Sequence, residues 1–255
     1  MKICFKTPIL IISILSWILP AKGQSAKSVG YFTSIKNHNL SKLWCADSIQ
    51  VEGNGDKIPF PEPLGYIGNN YQRFYIHYIT VSKNKENPYQ YKVYGKTKVK
   101  DNICTFNGTI TIKKAILYKE SDDPNYKQGS VICDIIFYED SIQKSSGVIK
   151  GTLTSDFYLD KKEKLYYDAL MIVADGYYNN QCKTTWSSYR TKAVKKCNWG
   201  DFRMPDSKEL DGGAGDVVIS EKFANNGWAT FVDTYSIDQK KAEKAIKIEK
   251  TKWWN

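Results

Sequence analysis

A chain of 255 residues, 42% of them hydrophobic and 25% charged, is long enough to bury a core and too apolar to be read as disordered. Removing Lys2, Lys6 and Lys22 takes the formal charge from +10 to +7, and part of the remainder sits at the C-terminus. That diffuse charge suits solubility and excludes a nucleic-acid footprint. With His38 and His77 as its only histidines and no Cys-x-x-Cys pair, the chain has few ligands for a metal, and no cofactor is expected.

At the N-terminus, Lys2 and Lys6 precede an uncharged apolar run from Pro8 to Leu19, which Pro20 breaks. Ala21-Lys22-Gly23 then supplies the small-x-small pattern of a cleavage site. Residues 1–23 therefore read as a secretory signal peptide, and the mature protein as periplasmic or extracellular and not membrane-spanning. Residues 24–237 read as one β-rich domain, and 238–255 as a basic tail. Five cysteines remain after cleavage: Cys45, Cys104, Cys133, Cys182 and Cys197. Cys182 and Cys197 flank one short segment, so a disulfide between them is expected, at about 3 kcal/mol in the chain-entropy model. The alternative is that the thiols serve as small buried apolar groups.

Leu43 to Val51 reads as a first strand, followed by breakers at Gly53-Asn54-Gly55-Asp56 and at Pro59, Pro61 and Pro63. Phe74–Val81 is aromatic and β-branched on both faces, which suits the wall of a filled or ligand-holding barrel. Tyr91, Val93, Gly95, Thr97 and Val99 then alternate with a mostly lysine face, as in a half-solvated antiparallel strand. Cys104, Phe106, Ile110 and Ile112 continue the pattern, which slips at Lys113-Lys114 and predicts a β-bulge. Val131–Phe137, Ile149–Leu159, Leu165–Val173 and Thr184–Arg190 complete the strands. Turns too short for crossover helices predict an all-β fold: an antiparallel meander of about seven to eight strands closing as a barrel or two-sheet sandwich. Beyond Cys197 the chain reads as irregular, ending in a short helix or disordered tail from Asp238.

Three segments stand out together: Tyr71-Gln72-Arg73-Phe74-Tyr75-Ile76-His77-Tyr78, Tyr94-Gly95-Lys96-Thr97-Lys98-Val99-Lys100 and Cys197-Asn198-Trp199-Gly200-Asp201-Phe202-Arg203-Met204-Pro205. With Gly213-Ala214-Gly215 and Gly227-Trp228 in the same order, the chain resembles a family of small uncharacterised secreted proteins from Bacteroidetes-type bacteria. The resemblance spans Leu43 to Phe231. It implies an envelope or extracellular location and no activity.

No motif of established catalytic chemistry stands out. The 18 tyrosines and 7 tryptophans are the most suggestive feature, because such rings pair flat contact area with a polar tip suited to amphipathic ligands and glycans. Tyr166, Tyr178, Trp186, Tyr189 and Trp199 are the aromatic candidates, and Asp201 and Arg203 the polar ones. The competing reading is that tyrosine merely favours strands and that Asp201 and Arg203 pair to fix a loop. Asp211–Asp216 has carboxylates only at its ends and lacks a Lys-Ser/Thr pair, so it reads as a turn rather than a calcium or phosphate loop. His77 has no evident partner nearby in sequence. The chain is thus expected to be a non-enzymatic binding module for a small amphipathic ligand, glycan or envelope partner. The alternative is a polysaccharide or cell-wall hydrolase drawing on Asp168, Asp175, Asp201 or Glu209.

Overall fold

Period-two alternation places one residue in two on the inner face of each central strand, and those faces close on one another. The computed structural model describes residues 27–51 and 56–255, so the expected signal peptide and the Gly53-Asn54-Gly55 breaker lie outside the described residues. The described chain begins with β1 (Ser28–Gly30), α1 (Phe32–Ile35), α2 (Ser41–Trp44), β2 (Ser48–Gln50), β3 (Lys57–Pro59) and β4 (Leu64–Ile67). Long strands come next: β5 (Gln72–Lys83), β6 (Gln90–Val99), β7 (Asn102–Tyr118), β8 (Lys127–Glu139) and β9 (Gly147–Leu159). After β10 (Leu165–Tyr167) come β11 (Asn179–Ser188), β12 (Val194–Asp201), α3 (Ala229–Asp233) and α4 (Gln239–Glu249).

Every pairing is antiparallel, and the order β4-β5-β6-β7-β8-β9-β11-β12 returns to β4. Eight strands thus form a barrel-like ring, with β1 and β10 added at the far ends of β7 and β9. The bulge falls where the alternation slips, between Ile112 and Lys114. Inside, Phe74, Ile76, Phe106, Ile110, Phe137, Leu153 and Phe157 are buried, each contributing on the order of 1.5–3 kcal/mol. Phe106 and Phe137 stack at 4.8 Å between ring centroids.

The expected first strand over Leu43–Val51 forms only as β2, while Leu43 and Trp44 lie in the helical turn α2, before which Asn39 Oδ1 accepts from the Ser41 N–H at 3.1 Å. The turn swings Leu43 and Trp44 into one end of the ring as a plug. Trp44 is 2% exposed, donates its indole N–H to Ser155 Oγ at 2.7 Å, and packs edge-on against Tyr91. The Leu165–Val173 strand also stops early, because Asp168 turns back to accept from the Leu170 N–H and the chain leaves the sheet.

The Cys182–Cys197 bridge is not formed, and all five described cysteines are free thiols. The two residues lie on paired strands, but Cys182 faces Trp199 and Cys197 faces Thr184, a diagonal offset of two residues. Cβ atoms on such diagonals stand wider apart than a disulfide spans.

The segment after β12 is packed, not irregular. Met204, Leu210, Val217, Ile219, Phe223 and Trp228 cover Tyr66 on the outer face of β4 as a second small core. The basic tail forms α4, with Asp238 capping its first turn, and runs back across β5. Arg73 donates to both oxygens of Glu249 at 2.8 and 2.5 Å, and Trp254 stacks on His77 at 3.8 Å. Trp253 meets Tyr75 on the same outer face. That cover accounts for the two-sided apolar character of Phe74–Val81: the ring interior takes one face and the tail the other.

Candidate functional site

The plugged end of the ring carries a cleft of about 670 Å³. Its buried floor comes from four places: Trp44 from α2, Leu153 from β9, Asn180 and Cys182 from β11, and Trp199 and Asp201 from β12. Trp199 and Asp201 share the inner face because they stand two apart on one strand. Gly65 on β4 makes room for the tryptophan, since a Cβ there would lie 2.9 Å from that of Trp199. Tyr78 and Phe60 form walls, while Glu62, His77 and the tail residues Lys250, Lys252 and Trp254 stand at the rim.

Polar groups on this floor are unusual. Asp201 is 1% exposed, and its Oδ2 accepts from the Tyr167 hydroxyl at 3.0 Å and from Asn180 Nδ2 at 2.6 Å. Burial, reinforced by the field of Glu62 and opposed by those two hydrogen bonds, pushes its carboxyl up to about 8, so it is largely protonated at neutral pH. Asn180 adopts a left-handed backbone (φ 47°) that Asn tolerates better than most residues, next to the register shift after Asn179. Its Nδ2 also donates to the Leu43 carbonyl at 2.7 Å, tying the plug to β11. Its Oδ1 is buried with no donor, and the Tyr78 hydroxyl, set between Trp199 and Cys182, makes no hydrogen bond of regular geometry. Buried polar atoms are nearly always partnered, so two orphans in one cleft call for an explanation.

The seven candidate residues do not converge. Trp199 and Asp201 line this cleft together. Tyr166 lines an adjoining cleft of about 970 Å³ that also borders His77 and Tyr78. Trp186 sits at the opposite end of the ring, donating its indole N–H to buried Glu139 at 2.8 Å. Tyr178 borders a third, acidic cleft, and Tyr189 lines none of these. Arg203 does not act with Asp201. It pairs with Asp211 at 3.0 Å and donates to the carbonyls of Gly213 and Ala214, holding the 211–216 turn onto the domain. Neighbours on alternate positions share a strand face, but the strand ends at Asp201, and Arg203 belongs to the loop beyond.

Tyr78, Asn180 and Trp44 are site residues that sequence reasoning missed, and Tyr167 belongs here where its neighbour Tyr166 does not. The available signal was Asp201 at an inward position two residues after Trp199, had β12 been recognised as a strand. His77 does have a partner, Glu62, whose carboxylate lies 3.0 Å from Nδ1. Among the described residues no group of three or more His, Cys, Asp or Glu side chains is arranged to hold a metal ion. No described helix is long and apolar enough to cross a membrane.

An all-β ring with an aromatic, hydrogen-bonding cleft at its plugged end is the class of architecture that these residues define. Comparisons with protein-family models, with curated proteins and with solved structures found no match.

Proposed function

We propose that this is an exported, non-enzymatic binding protein that holds a small amphipathic molecule in the cleft above Asp201. The carrying observation is the pair of orphan polar atoms, Asn180 Oδ1 and the Tyr78 hydroxyl, set among Trp44, Phe60 and Trp199. An aromatic pocket with a few convergent polar groups is the usual form of a small-molecule site, and a ligand would supply the missing hydrogen bonds. Export is supported by the leader-like N-terminus and by the resemblance to secreted bacterial proteins. The test is to purify the mature protein from its own host and compare native with denatured mass. A mass excess lost on denaturation is expected, and a native mass equal to the bare chain would refute a tightly held ligand.

A hydrolase is the second reading, favoured by one observation. Asp168 and Asp175 line a cleft of about 370 Å³ with Asp156, Asp122 and Glu120. Burial raises the carboxyls of Asp156 and Asp168, and repulsion between neighbouring carboxylates adds to it. Asp201 lies in the other cleft, and Glu209 is an exposed partner of Lys222. Release of reducing ends from cell-wall polysaccharide, abolished by Asp156→Asn or Asp168→Asn, would support this reading. No release by the unaltered protein would end it.

A further inference from the structure

Asp201 is a buried acid without a cation. None of the ion pairs among the described residues includes it. A carboxyl taken out of water and left without a counter-charge is costly in its ionised form. The other unpartnered polar atoms in the cleft can each accept a hydrogen bond. Both N–H bonds of the Asn180 amide are spent on acceptors, the Leu43 carbonyl and Asp201 Oδ2, which fixes the amide's orientation. The orphan atom is therefore an acceptor. The Tyr78 hydroxyl offers lone pairs beside its own O–H, and both side-chain hydrogen bonds to Asp201 fall on Oδ2, which leaves Oδ1 to carry the acid's proton. Once Asp201 gives up its proton, three acceptors share the cleft with the rings of Trp44, Trp199 and Tyr78. A primary ammonium has three donors, no acceptor and an attraction to aromatic faces.

We infer that the cleft takes a small organic primary amine with a flat apolar body, its ammonium seated against Asp201, Asn180 and Tyr78. This rests on the ligand-binding role proposed above and adds the charge of the head group. The ammonium keeps its own three protons, and the proton of the Asp201 acid leaves for solvent, so the pair forms as carboxylate and ammonium with one proton released. The groups that face Asp201 are Tyr167 from β10, Tyr177 from the segment between β10 and β11 (also raised and neutral), Cys182 and Asn180 from β11, Tyr78 from β5, and Glu62 from the segment before β4. Burial raises Tyr167, Tyr78 and Cys182, which stay neutral and leave Asp201 as the group on the floor that titrates. At the rim, Asp47, His77, Lys250 and Lys252 are part of the lining but reach solvent, where screening weakens their effect.

The test uses three probes with one ring system and different heads: tryptamine, tryptophol and indole-3-propionate. Calorimetric titration of the full mature chain at pH 7 is run in two buffers of different ionisation enthalpy. Tryptamine is expected to bind at least tenfold tighter than tryptophol, with close to one proton released, and indole-3-propionate weakest. Asp201→Asn is expected to bring tryptamine down to the level of tryptophol and to abolish proton release. The buffer comparison needs no variant, so it decides even if Asp201→Asn fails to fold. If tryptophol or indole-3-propionate binds as well as tryptamine, or no proton is released, the cleft is a ligand site but the amine inference is wrong. If no probe binds and the protein from its own host carries no ligand, the binding role fails with it.

Discussion

Replacing Asp201 by Asn tests the electrostatics of the cleft without any ligand. Asparagine keeps an oxygen to accept from Tyr167 and Asn180, and its amide N–H takes the place of the acid's O–H. The folded chain holds a proton on Asp201 up to about pH 8, whereas an unfolded carboxyl gives it up near 3.8. Across that interval the folded state binds the extra proton, so stability is greatest below about pH 4 and declines as pH rises to about 8. The slope is about 1.4 kcal/mol per pH unit, on the order of 5 kcal/mol across the whole interval. Asn carries no titrating proton and removes this decline. Denaturant unfolding of both proteins from pH 5 to 8.5 should show the stability of the Asn variant rising relative to the unaltered protein by about 4 kcal/mol between the acid and the alkaline end. Glu139, Asp156 and Asp168 titrate in both proteins and cancel in the difference. Parallel stability curves would refute the protonated, uncompensated state of Asp201.

Trp44→Ala should cost about 3–5 kcal/mol, since it empties a fully packed site and strands Ser155; a loss under about 1 kcal/mol in urea unfolding would show that the plug is not part of the core. Arg73→Met should free the tail by leaving Glu249 without its partner, read as faster hydrogen exchange and proteolysis confined to 239–255 with the ring unchanged. Unchanged protection there would mean that the other anchors suffice: the two tryptophans, the Lys241–Asp233 pair, Lys96 on the Trp254 carbonyl and the Thr230 hydroxyl on Glu249. Thiol titration of the unfolded chain lacking residues 1–23 should detect all five cysteines and reductant should leave its melting temperature unchanged, whereas three reactive thiols would show a bridge.

β6 and β7 are legible because each has one wet and one dry face: Lys92, Lys96 and Lys98 against Tyr91, Val93 and Thr97 on β6, and the slip at Lys113-Lys114 on β7. β4 and β12 are not. β4 is four residues long, and β12 carries Lys195 and Lys196 before Cys197, Trp199 and an inward acid, so hydrophobic periodicity passes over both. Closure as such follows from the run of antiparallel strands, but the pair that makes it stays hidden. Leu43 and Trp44 read as strand because their burial comes from plugging the ring, and a plug has no period of its own. The site is assembled from partners far apart in sequence: Trp44 with Ser155, Asn180 with Leu43, and Tyr167 with Asp201. Nothing local encodes those meetings, which explains why the aromatic candidates scatter over several clefts while Trp199 and Asp201, two apart on one strand, stay together.

The closure of the ring has a mechanical consequence. From β4 through β9 the strands are joined to their sequence neighbours, so each can dock as soon as its own hairpin forms. The joint between β4 and β12 instead links residues 64–67 to 197–200 through four register pairs. A chain emerging from a channel in order must wait for nearly the whole domain before this seam can zip. The seam is also a short one, and a pull applied across it would part the staves there, opening the hoop beside the floor that Trp199 and Asp201 help to build.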